Sequence, residues 1–257
     1  MLKISRQAVH QYQRRSVSAQ VHVEDILSGV RGIRVVMPRV GCRKMMHHLP
    51  DLGMGRDKFF DILRQHGLLV RRRCRYVITT KSDHTLPVYP NLMPETKVDA
   101  PNQVWVADQT YIRLLRGFCY LSLLTDLWSH RIVGYAVSPT LEASGPLQAL
   151  RRALAAERYP MGLIHHSDRG KQYCSDEYVQ TLKEHGCRIS MTAPRRPDQN
   201  AVAERVNGIL KTEFYLDATF RTIEEARRAI VQAIYVYNNI RLHTSLGMVT
   251  PSFRHVV

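Results

Sequence analysis

Between Gln103 and Ser138 the sequence predicts three β-strands in immediate succession, and this pattern restricts the possible folds more than any other. Each segment is apolar or alternating over a length typical of a strand, and a short turn follows it. Strands joined by such short connections run antiparallel and pair as a meander. The predicted strands span residues 104–112, 118–127 and 131–138, with turns at Arg116-Gly117 and Ser129-His130.

After this meander the sequence alternates helices with short strands. We predict helices at residues 142–158, 175–185, 200–214 and 222–239, and strands at residues 162–166 and 187–191. Three antiparallel strands followed by an α-β-α-β-α order are typical of a ribonuclease H-like α/β domain, whose mixed five-stranded sheet is flanked by helices. We therefore expect residues 103–257 to form such a domain, with a C-terminal helix and tail.

Residues 1–80 predict a separate, small all-α domain. Ser5 can cap a first helix that ends near Arg15, and the apolar residues between Val21 and Val30 suggest a second helix. A short basic helix at 40–49, a glycine-containing turn and a helix at 56–66 then form a helix-turn-helix-like outline. A plain helical hairpin is the alternative. The proline-containing residues 81–102 predict an extended linker.

The chain is strongly basic. Its formal net charge is +15, and basic side chains outnumber acidic ones by ten within residues 1–100. This balance indicates a polyanionic partner, most simply nucleic acid, although a solvated basic surface is the alternative. We expect DNA contacts from the start of the 56–66 helix and from the basic run that follows it: Arg56, Lys58, Arg71, Arg72 and Arg73.

The sequence predicts a cytoplasmic protein without a membrane partner. No apolar run approaches the ~18 residues that a membrane-spanning helix needs. The first residues contain no apolar secretory segment. The five cysteines are scattered without a CxxC pair, as is typical of reduced thiols.

Three acidic residues of the second domain lie in settings that ordinary packing explains poorly. Asp108 lies within an apolar strand, where an unpaired buried carboxylate is costly. Asp168 follows a short buried strand, at the sheet edge where α/β proteins bind ligands. Glu204 lies on a polar stripe of the 200–214 helix. Each has an ordinary alternative: a hydrogen-bonded strand-end aspartate, a turn aspartate and a solvated helix face.

Together the three acids predict a metal site. Carboxylates from a central strand, a neighbouring strand end and a crossing helix can hold two divalent cations about 3.5–4 Å apart for in-line displacement at phosphorus. Mg²⁺ suits such a site because it uses few protein carboxylates and retains water and phosphate ligands. Since clustered carboxylates repel one another, we also expect a raised carboxyl pKa in the metal-free site.

The sequence around these acids resembles a known family. The matching strings are Trp105-x-x-Asp108-x-Thr110-Tyr111, His166-Ser167-Asp168-x-Gly170-x-Gln172-Tyr173, Asn200-Ala201-x-Ala203-Glu204-x-x-Asn207-Gly208-x-x-Lys211-x-Glu213 and Tyr237-Asn238-x-x-Arg241-x-His243. Asp168 and Glu204 are separated by 35 residues. These features resemble the catalytic OrfB half of insertion sequence 3 family transposases, which carry a retroviral-integrase-like core. The chain departs from the family at Arg205, where serine is common, and at Leu242, where proline is frequent.

The resemblance implies a DNA transposase that cleaves donor ends and transfers strands by direct transesterification, without a covalent protein–DNA intermediate. It implies that Asp108, Asp168 and Glu204 are the catalytic and metal-binding residues, with two Mg²⁺ per active site and Mn²⁺ as a substitute. Lys211 would contact DNA near the reacting end. The implied partners are terminal inverted repeats and target DNA in the bacterial cytosol and nucleoid, a second copy of the chain, and an upstream OrfA partner or fusion half.

Residues beside the acids are further candidates for DNA contact. His166 and Arg169 can bind the scissile phosphate, although a loop histidine more often bonds to backbone groups. Asn200 can position Glu204 or contact DNA, and Arg195-Arg196 lies on a proline-flanked loop that can contact DNA or be solvated. Two other functions are alternatives: a transposase-derived DNA-binding regulator without chemistry, and a ribonuclease H-like nuclease that only hydrolyses.

Overall fold

The computed structural model describes residues 5–49, 52–70, 86–193 and 196–256 of the 257-residue chain. The chain divides into two compact units, Met1–Arg72 and Arg73–Val257. Some predictions fall outside the described residues: those for residues 81–85 of the linker and for Arg71, Arg72, Arg73 and Arg195. None of the helices in the described ranges combines the length and apolar character needed to cross a membrane.

The first unit begins with one long helix, α1 (Arg6–Val36). Ser5 caps it as expected, because its hydroxyl accepts a hydrogen bond from the Ala8 amide at 3.2 Å. The two helices predicted between Ser5 and Val30 are a single continuous helix of 31 residues. Neither glycine nor proline interrupts residues 6–28, so nothing in the sequence breaks the helix there.

Two shorter helices complete the described part of the first unit: α2 (Cys42–His48) and α3 (Arg56–Gln65). They pack with the C-terminal half of α1 around a small core whose fully buried members are Val30, Val40, Met45, Phe59 and Leu63. Arg56 and Lys58 are exposed at the start of α3, where Arg56 pairs with Asp57 at 2.9 Å. Their contact with DNA stays a prediction.

A mixed sheet forms the centre of the second unit. Its strands are β1 (Val104–Leu114), β2 (Phe118–Asp126), β3 (Ile132–Ser138), β4 (Ile164–Ser167) and β5 (Arg188–Met191). They lie in the order β3-β2-β1-β4-β5, antiparallel from β3 to β1 and parallel from β1 to β5. The predicted ribonuclease H-like order is therefore confirmed. A sixth strand, β6 (Thr219–Phe220), also pairs with β1; two residues are too few to produce a recognisable sequence pattern.

Helices pack against this sheet in two separate cores. α4 (Ser144–Ala156) and α5 (Asp176–Glu184) share one core with Trp105 and Ala107 of β1. α6 (Ala201–Glu213) and α7 (Ile223–Asn239) share the other with Ile112. The alternation of β1 side chains between the two cores places α6 on one face of the central strand.

One edge of β1 is open between two neighbours. On the side away from β2, β4 pairs with residues Val104–Ala107 and β6 pairs only with Arg113 and Leu114. Within the described part of the chain, residues 108–112 have no strand partner on that side. Asp108 is the first residue of this unpaired stretch and lies next to the end of β4. Asn207 of α6 contacts Asp108 at the same place.

A buried charged network holds the C-terminal helix α8 (Pro251–Val256). His255 Nε2 donates to Glu157 Oε2 at 3.0 Å, and Nδ1 donates to Ser129 Oγ at 2.8 Å. The Ser129 hydroxyl in turn donates to the fully buried Asp126 at 2.7 Å. Burial alone would lower the pKa of His255, but its interactions with Asp126 and Glu157 outweigh burial and raise the pKa to about 9.

We expect the His255 network to stabilise the protein less as the pH rises. Because the folded-state pKa is raised from 6.5 to about 9, the stabilisation is complete below about pH 6.5 and disappears as the pH passes 9. Urea unfolding of the wild type and His255→Gln between about pH 6 and pH 10 measures it. The difference in unfolding free energy should shrink with rising pH, and a constant difference would contradict the expectation.

Candidate active site

The two candidate aspartates lie at adjacent strand positions. Asp108 follows Ala107 in β1, and Ala107 pairs with Ser167, the last residue of β4. Asp168 comes directly after Ser167, so the parallel register brings Asp108 and Asp168 to the same end of neighbouring strands. Both side chains are half-buried at the open edge of β1.

Hydrogen bonds fix both carboxylates. Asp108 Oδ1 accepts from the Gln109 amide at 2.8 Å, and Oδ2 accepts from Asn207 Nδ2 at 2.7 Å. Asp168 Oδ1 accepts from the Gly170 amide at 2.9 Å. These donors hold the carboxylate planes, and those on Asp108 favour its ionised form.

Two buried amides attach α6 to β1 on either side of Glu204. Asn200, just before α6, is 4% exposed and donates from Nδ2 to the Ala107 carbonyl at 3.0 Å. Asn207, one turn after Glu204, is 6% exposed and donates to Asp108. Glu204 itself is exposed. Of the two roles predicted for Asn200, the structure therefore supports positioning, since its amide contacts the backbone of β1.

The Asp108 carboxyl binds a proton unusually tightly. Burial raises its pKa most, and the negative charge of Asp168 and, more weakly, that of Glu204 raise it further. The hydrogen bonds from Asn207 and Gln109 act in the opposite direction, and the resulting pKa is about 7. This is the raised value expected of clustered carboxylates without metal.

We expect Asp108→Asn to stabilise the metal-free protein near neutral pH. Because folding raises the pKa of Asp108 from 3.8 to about 7, the group destabilises the fold increasingly as the pH rises from about 3.8 to about 7, and by a constant amount above that. Asparagine does not ionise, so in EDTA the Tm of the variant should exceed that of the wild type by a few degrees at about pH 8, and by less at about pH 5. Circular dichroism melts measure this, with Asp176→Asn, exposed at the start of α5, as the control. A lower Tm for Asp108→Asn at pH ~8 would contradict the expectation.

Lys211 lies between the acids and an aromatic ring. It is on α6, two turns after Glu204, and its Nζ is 4.3 Å from the centroid of the Tyr111 ring. Partial burial lowers the pKa of Lys211, whereas the charges of Asp108 and Asp217 act to raise it. A cation in this position can meet a phosphate that approaches the carboxylates.

The predicted phosphate contact of His166 is corrected by the structure. His166 lies inside β4 and is fully buried. Its Nδ1 bonds to Ser190 Oγ at 2.8 Å and its Nε2 bonds to the Gln199 carbonyl at 3.1 Å. Both ring nitrogens are occupied, so the residue joins β4 to β5 and to the segment before α6.

Three other residues near the acids differ in exposure. Arg169 is half-buried and donates from Nε to the Thr192 carbonyl at 2.8 Å, while Arg196 is exposed. Their contact with DNA stays a prediction. Trp105 is fully buried, and its Nε1 donates to Asn102 Oδ1 at 2.9 Å. Trp105 is therefore a core residue.

The chemistry of the candidate ligands suits a hard divalent cation. All three acids offer carboxylate oxygens, which Mg²⁺ and Mn²⁺ prefer. Among the residues that the structure describes, no three His, Cys, Asp or Glu side chains already converge on a point where they could hold one ion.

Asn207 is the site residue that the sequence-based prediction missed. Its amide makes the shortest hydrogen bond to Asp108 and also connects β1 to the helix that carries Glu204. The available indication was its place on the polar stripe, one turn from Glu204. A stripe alone does not reveal whether it faces water or a carboxylate.

Comparison with known sequences identifies relatives over most of the chain. Two models described as Integrase core domain match residues 98–197 and residues 185–251. The transposase for insertion sequence element IS629 of Shigella sonnei is 36% identical over 82% of this chain and 72% of its own length. The transposase InsF for insertion sequence IS3A of Escherichia coli (strain K12) is 35% identical over 74% of this chain and 66% of its own length.

A solved structure has the same fold. The simian T-cell lymphotropic virus intasome, determined in complex with PP2A regulatory subunit B56 gamma, matches with a TM-score of 0.52 and 19% identity. The match covers 86% of this chain and 72% of that chain. It supports assignment of the mixed sheet and its helices to the integrase type of ribonuclease H-like fold.

Proposed function

Because the chain belongs to the insertion sequence 3 family of transposases, as a catalytic half with an integrase core, we propose that Asp108, Asp168 and Glu204 catalyse cleavage and joining of the ends of an insertion sequence. The family makes the chain a polynucleotidyl transferase. The attachment of α6 to β1 supports these three residues as the catalytic ones. Asn200 and Asn207 bind α6 to β1, and Glu204 lies between them on the chain. The parallel register places Asp168 beside Asp108 at the same end of the two strands.

The three acids would together hold two Mg²⁺, and Mn²⁺ would substitute. When bound, the ions would supply positive charge to the phosphodiester and lower the pKa of the attacking hydroxyl. Asp108 must be ionised to act as a ligand. Asn207 and Gln109 promote that state, because their hydrogen bonds lower a pKa that burial and Asp168 raise.

Both proposed steps are in-line displacements at phosphorus. In donor cleavage, a water oxygen forms a bond to phosphorus while the bond to the 3′-oxygen of the element breaks, and that oxygen leaves as a hydroxyl. In strand transfer, this 3′-hydroxyl attacks a target phosphodiester, and the displaced target oxygen takes up the proton. No bond to the protein forms in either step. Lys211, beside Asp108, would bind a phosphate next to the reacting end.

The basic charge of the chain supports DNA as the substrate. The net charge of +15 is concentrated in the first hundred residues, where Arg56 and Lys58 are exposed. We propose that these residues, with Arg71, Arg72 and Arg73, bind the terminal inverted repeats, and that Arg169, Arg195 and Arg196 contact DNA nearer the acids. Coordinated joining of two ends would need at least a dimer. We place the reaction in the bacterial cytosol and propose an OrfA partner or fusion half as a further partner of the chain.

A strand-transfer assay tests the proposed function. The purified chain, with and without the OrfA half, is incubated in Mg²⁺ with a duplex that carries the terminal repeat and with a supercoiled plasmid. We expect duplexes joined covalently to plasmid. Nicked plasmid without joined product would instead identify a hydrolytic nuclease. Binding to both DNAs without either product would identify a regulator that lacks chemistry.

A further inference from the structure

One face of the β1–β2 hairpin carries a row of aromatic and basic side chains that is half-buried at Tyr111 and exposed at Arg113 and Phe118. Tyr111 pairs with Tyr120 and Arg113 pairs with Phe118, so these four residues share a face of the hairpin. We use the name hairpin ladder for Tyr111, Arg113 and Phe118 together with Lys211, which reaches the ring of Tyr111 from α6.

The ladder is a continuous series of ring and cation contacts. Lys211 Nζ is 4.3 Å from the Tyr111 ring centroid, and the Tyr111 and Phe118 rings meet edge to face with centroids 5.3 Å apart. Arg113 Cζ lies 5.4 Å from the Phe118 centroid. These contacts therefore connect Lys211 to the exposed end of the hairpin. Lys211 is also close enough to Asp108 for the carboxylate charge to oppose the lowering of the lysine pKa by burial.

Folding of the hairpin does not explain this exposure. The opposite face supplies the buried side chains Ile112, Cys119 and Leu121 to the core. On the ladder face, Phe118 is 43% exposed and Arg113 is exposed, as is Arg116 in the turn between the two strands. A cross-strand pair such as Arg113 and Phe118 contributes only about 0.2–1 kcal/mol. An aromatic ring between cations is instead the composition of surfaces that bind single-stranded nucleic acid, on which bases stack and phosphates pair.

The position of the ladder favours one strand of the substrate. Tyr111 lies within residues 108–112 of β1, the edge that opens beside Asp108. Side chains alternate along a strand, so Asp108 and Tyr111 point to opposite faces of β1. Lys211 links the two faces around this open edge, because its Nζ reaches the Tyr111 ring from α6. A strand that leaves the carboxylates can therefore pass around the edge by way of Lys211 to Tyr111 and Phe118. A ring on a sheet surface reaches the flat face of a base only when the base is outside the duplex stack.

We propose that the hairpin ladder binds unpaired nucleotides next to the reacting phosphate, with a base stacked on Phe118 and neighbouring phosphates on Arg113 and Lys211. The inference rests on the proposed function, because it requires DNA at the three acids. It adds that the substrate strand is separated from its complement beside the reaction.

Binding of tailed and blunt DNA tests the ladder. Fluorescence anisotropy in EDTA compares a blunt duplex with one that carries a single-stranded 5′ or 3′ tail of about five nucleotides. We expect the wild type to bind one tailed duplex about tenfold more tightly than the blunt one. Phe118→Leu and Phe118→Ala should lose this preference, while Phe118→Trp retains it. Tyr235→Ala removes a ring that is 61% exposed on α7 and should leave the preference unchanged.

A stacking probe completes the test. A 2-aminopurine base in the preferred tail should be quenched by the wild type and not by Phe118→Leu, which keeps an apolar side chain in the hairpin. Equal binding of tailed and blunt duplexes by the wild type, or an unchanged preference in Phe118→Leu, would overturn the ladder proposal while strand transfer by the wild type still stands. If the wild type prefers a tailed duplex through Phe118 but does not transfer strands, the proposed function is overturned. The proposal that the tail lies beside a reacting phosphate is then overturned with it.

Discussion

Asp108→Asn, Asp168→Asn and Glu204→Gln each lower strand transfer by at least about 10³-fold, while DNA affinity changes by less than about threefold. Each substitution removes one charged ligand from a pair of cations that would stabilise the transition state, and a loss of about 4 kcal/mol corresponds to this factor. Shape and hydrogen-bonding groups are nearly preserved. Rates of joined-product formation, with anisotropy for DNA binding, provide the measurement.

Matched substitutions elsewhere separate the loss of a ligand from the loss of a surface charge. Asp176 and Glu184 are exposed on α5, so Asp176→Asn and Glu184→Gln should retain wild-type strand transfer within about threefold. Undiminished strand transfer by any of the three acid variants would remove that acid from the mechanism.

Arg241→Met lowers the free energy of unfolding by about 3–5 kcal/mol, which corresponds to a fall in Tm of about 10 °C. The Arg241 side chain is 2% exposed and its Nε and Nη2 each donate to a Glu213 oxygen at 2.7 Å. Glu213 is the last residue of α6 and its side chain is 16% exposed. Without Arg241, a largely buried carboxylate loses its main charge partner, and the end of α6 loses its anchor.

Two comparisons test this account of the buried pair. Arg241→Met combined with Glu213→Leu should recover most of the lost stability, because no charge then remains buried. Arg151→Met breaks the Arg151–Glu177 pair, whose side chains are 59% and 68% exposed, and should cost less than about 1 kcal/mol. Equal losses in Arg241→Met and Arg151→Met would contradict the account. Urea unfolding measures all three variants.

The sequence predicted the sheet and the three acids because both depend on local patterns. The meander follows from runs of apolar residues with short turns, and β1 to β5 lie within a few residues of their expected bounds. Asp108 and Asp168 stood out because a charged group within or directly after a buried strand needs a partner. Glu204 was less distinct, since a polar residue on a helix usually faces water.

The residues that hold the active-site side chains in place make contacts between distant parts of the chain. Local sequence patterns did not reveal these contacts. Asn207 donates to a residue 99 positions away, and the partner of Arg241 lies 28 positions away. His166 ends the predicted strand and looks open to a ligand in the sequence, but β4 extends to Ser167 and His166 is fully buried. Its partners, Ser190 and the Gln199 carbonyl, come from later segments. Local patterns therefore located the chemical groups, while the tertiary fold determined which of them face the reaction.

The measurement that tests the central claim most directly is a Mn²⁺ titration of the chain bound to terminal-repeat DNA, followed by electron paramagnetic resonance. We predict two Mn²⁺ per active site in the wild type and in Asp176→Asn, and at least tenfold weaker binding in Asp108→Asn. A wild-type complex that joins strands without binding Mn²⁺, or Asp108→Asn that binds both ions with wild-type affinity, would contradict the account.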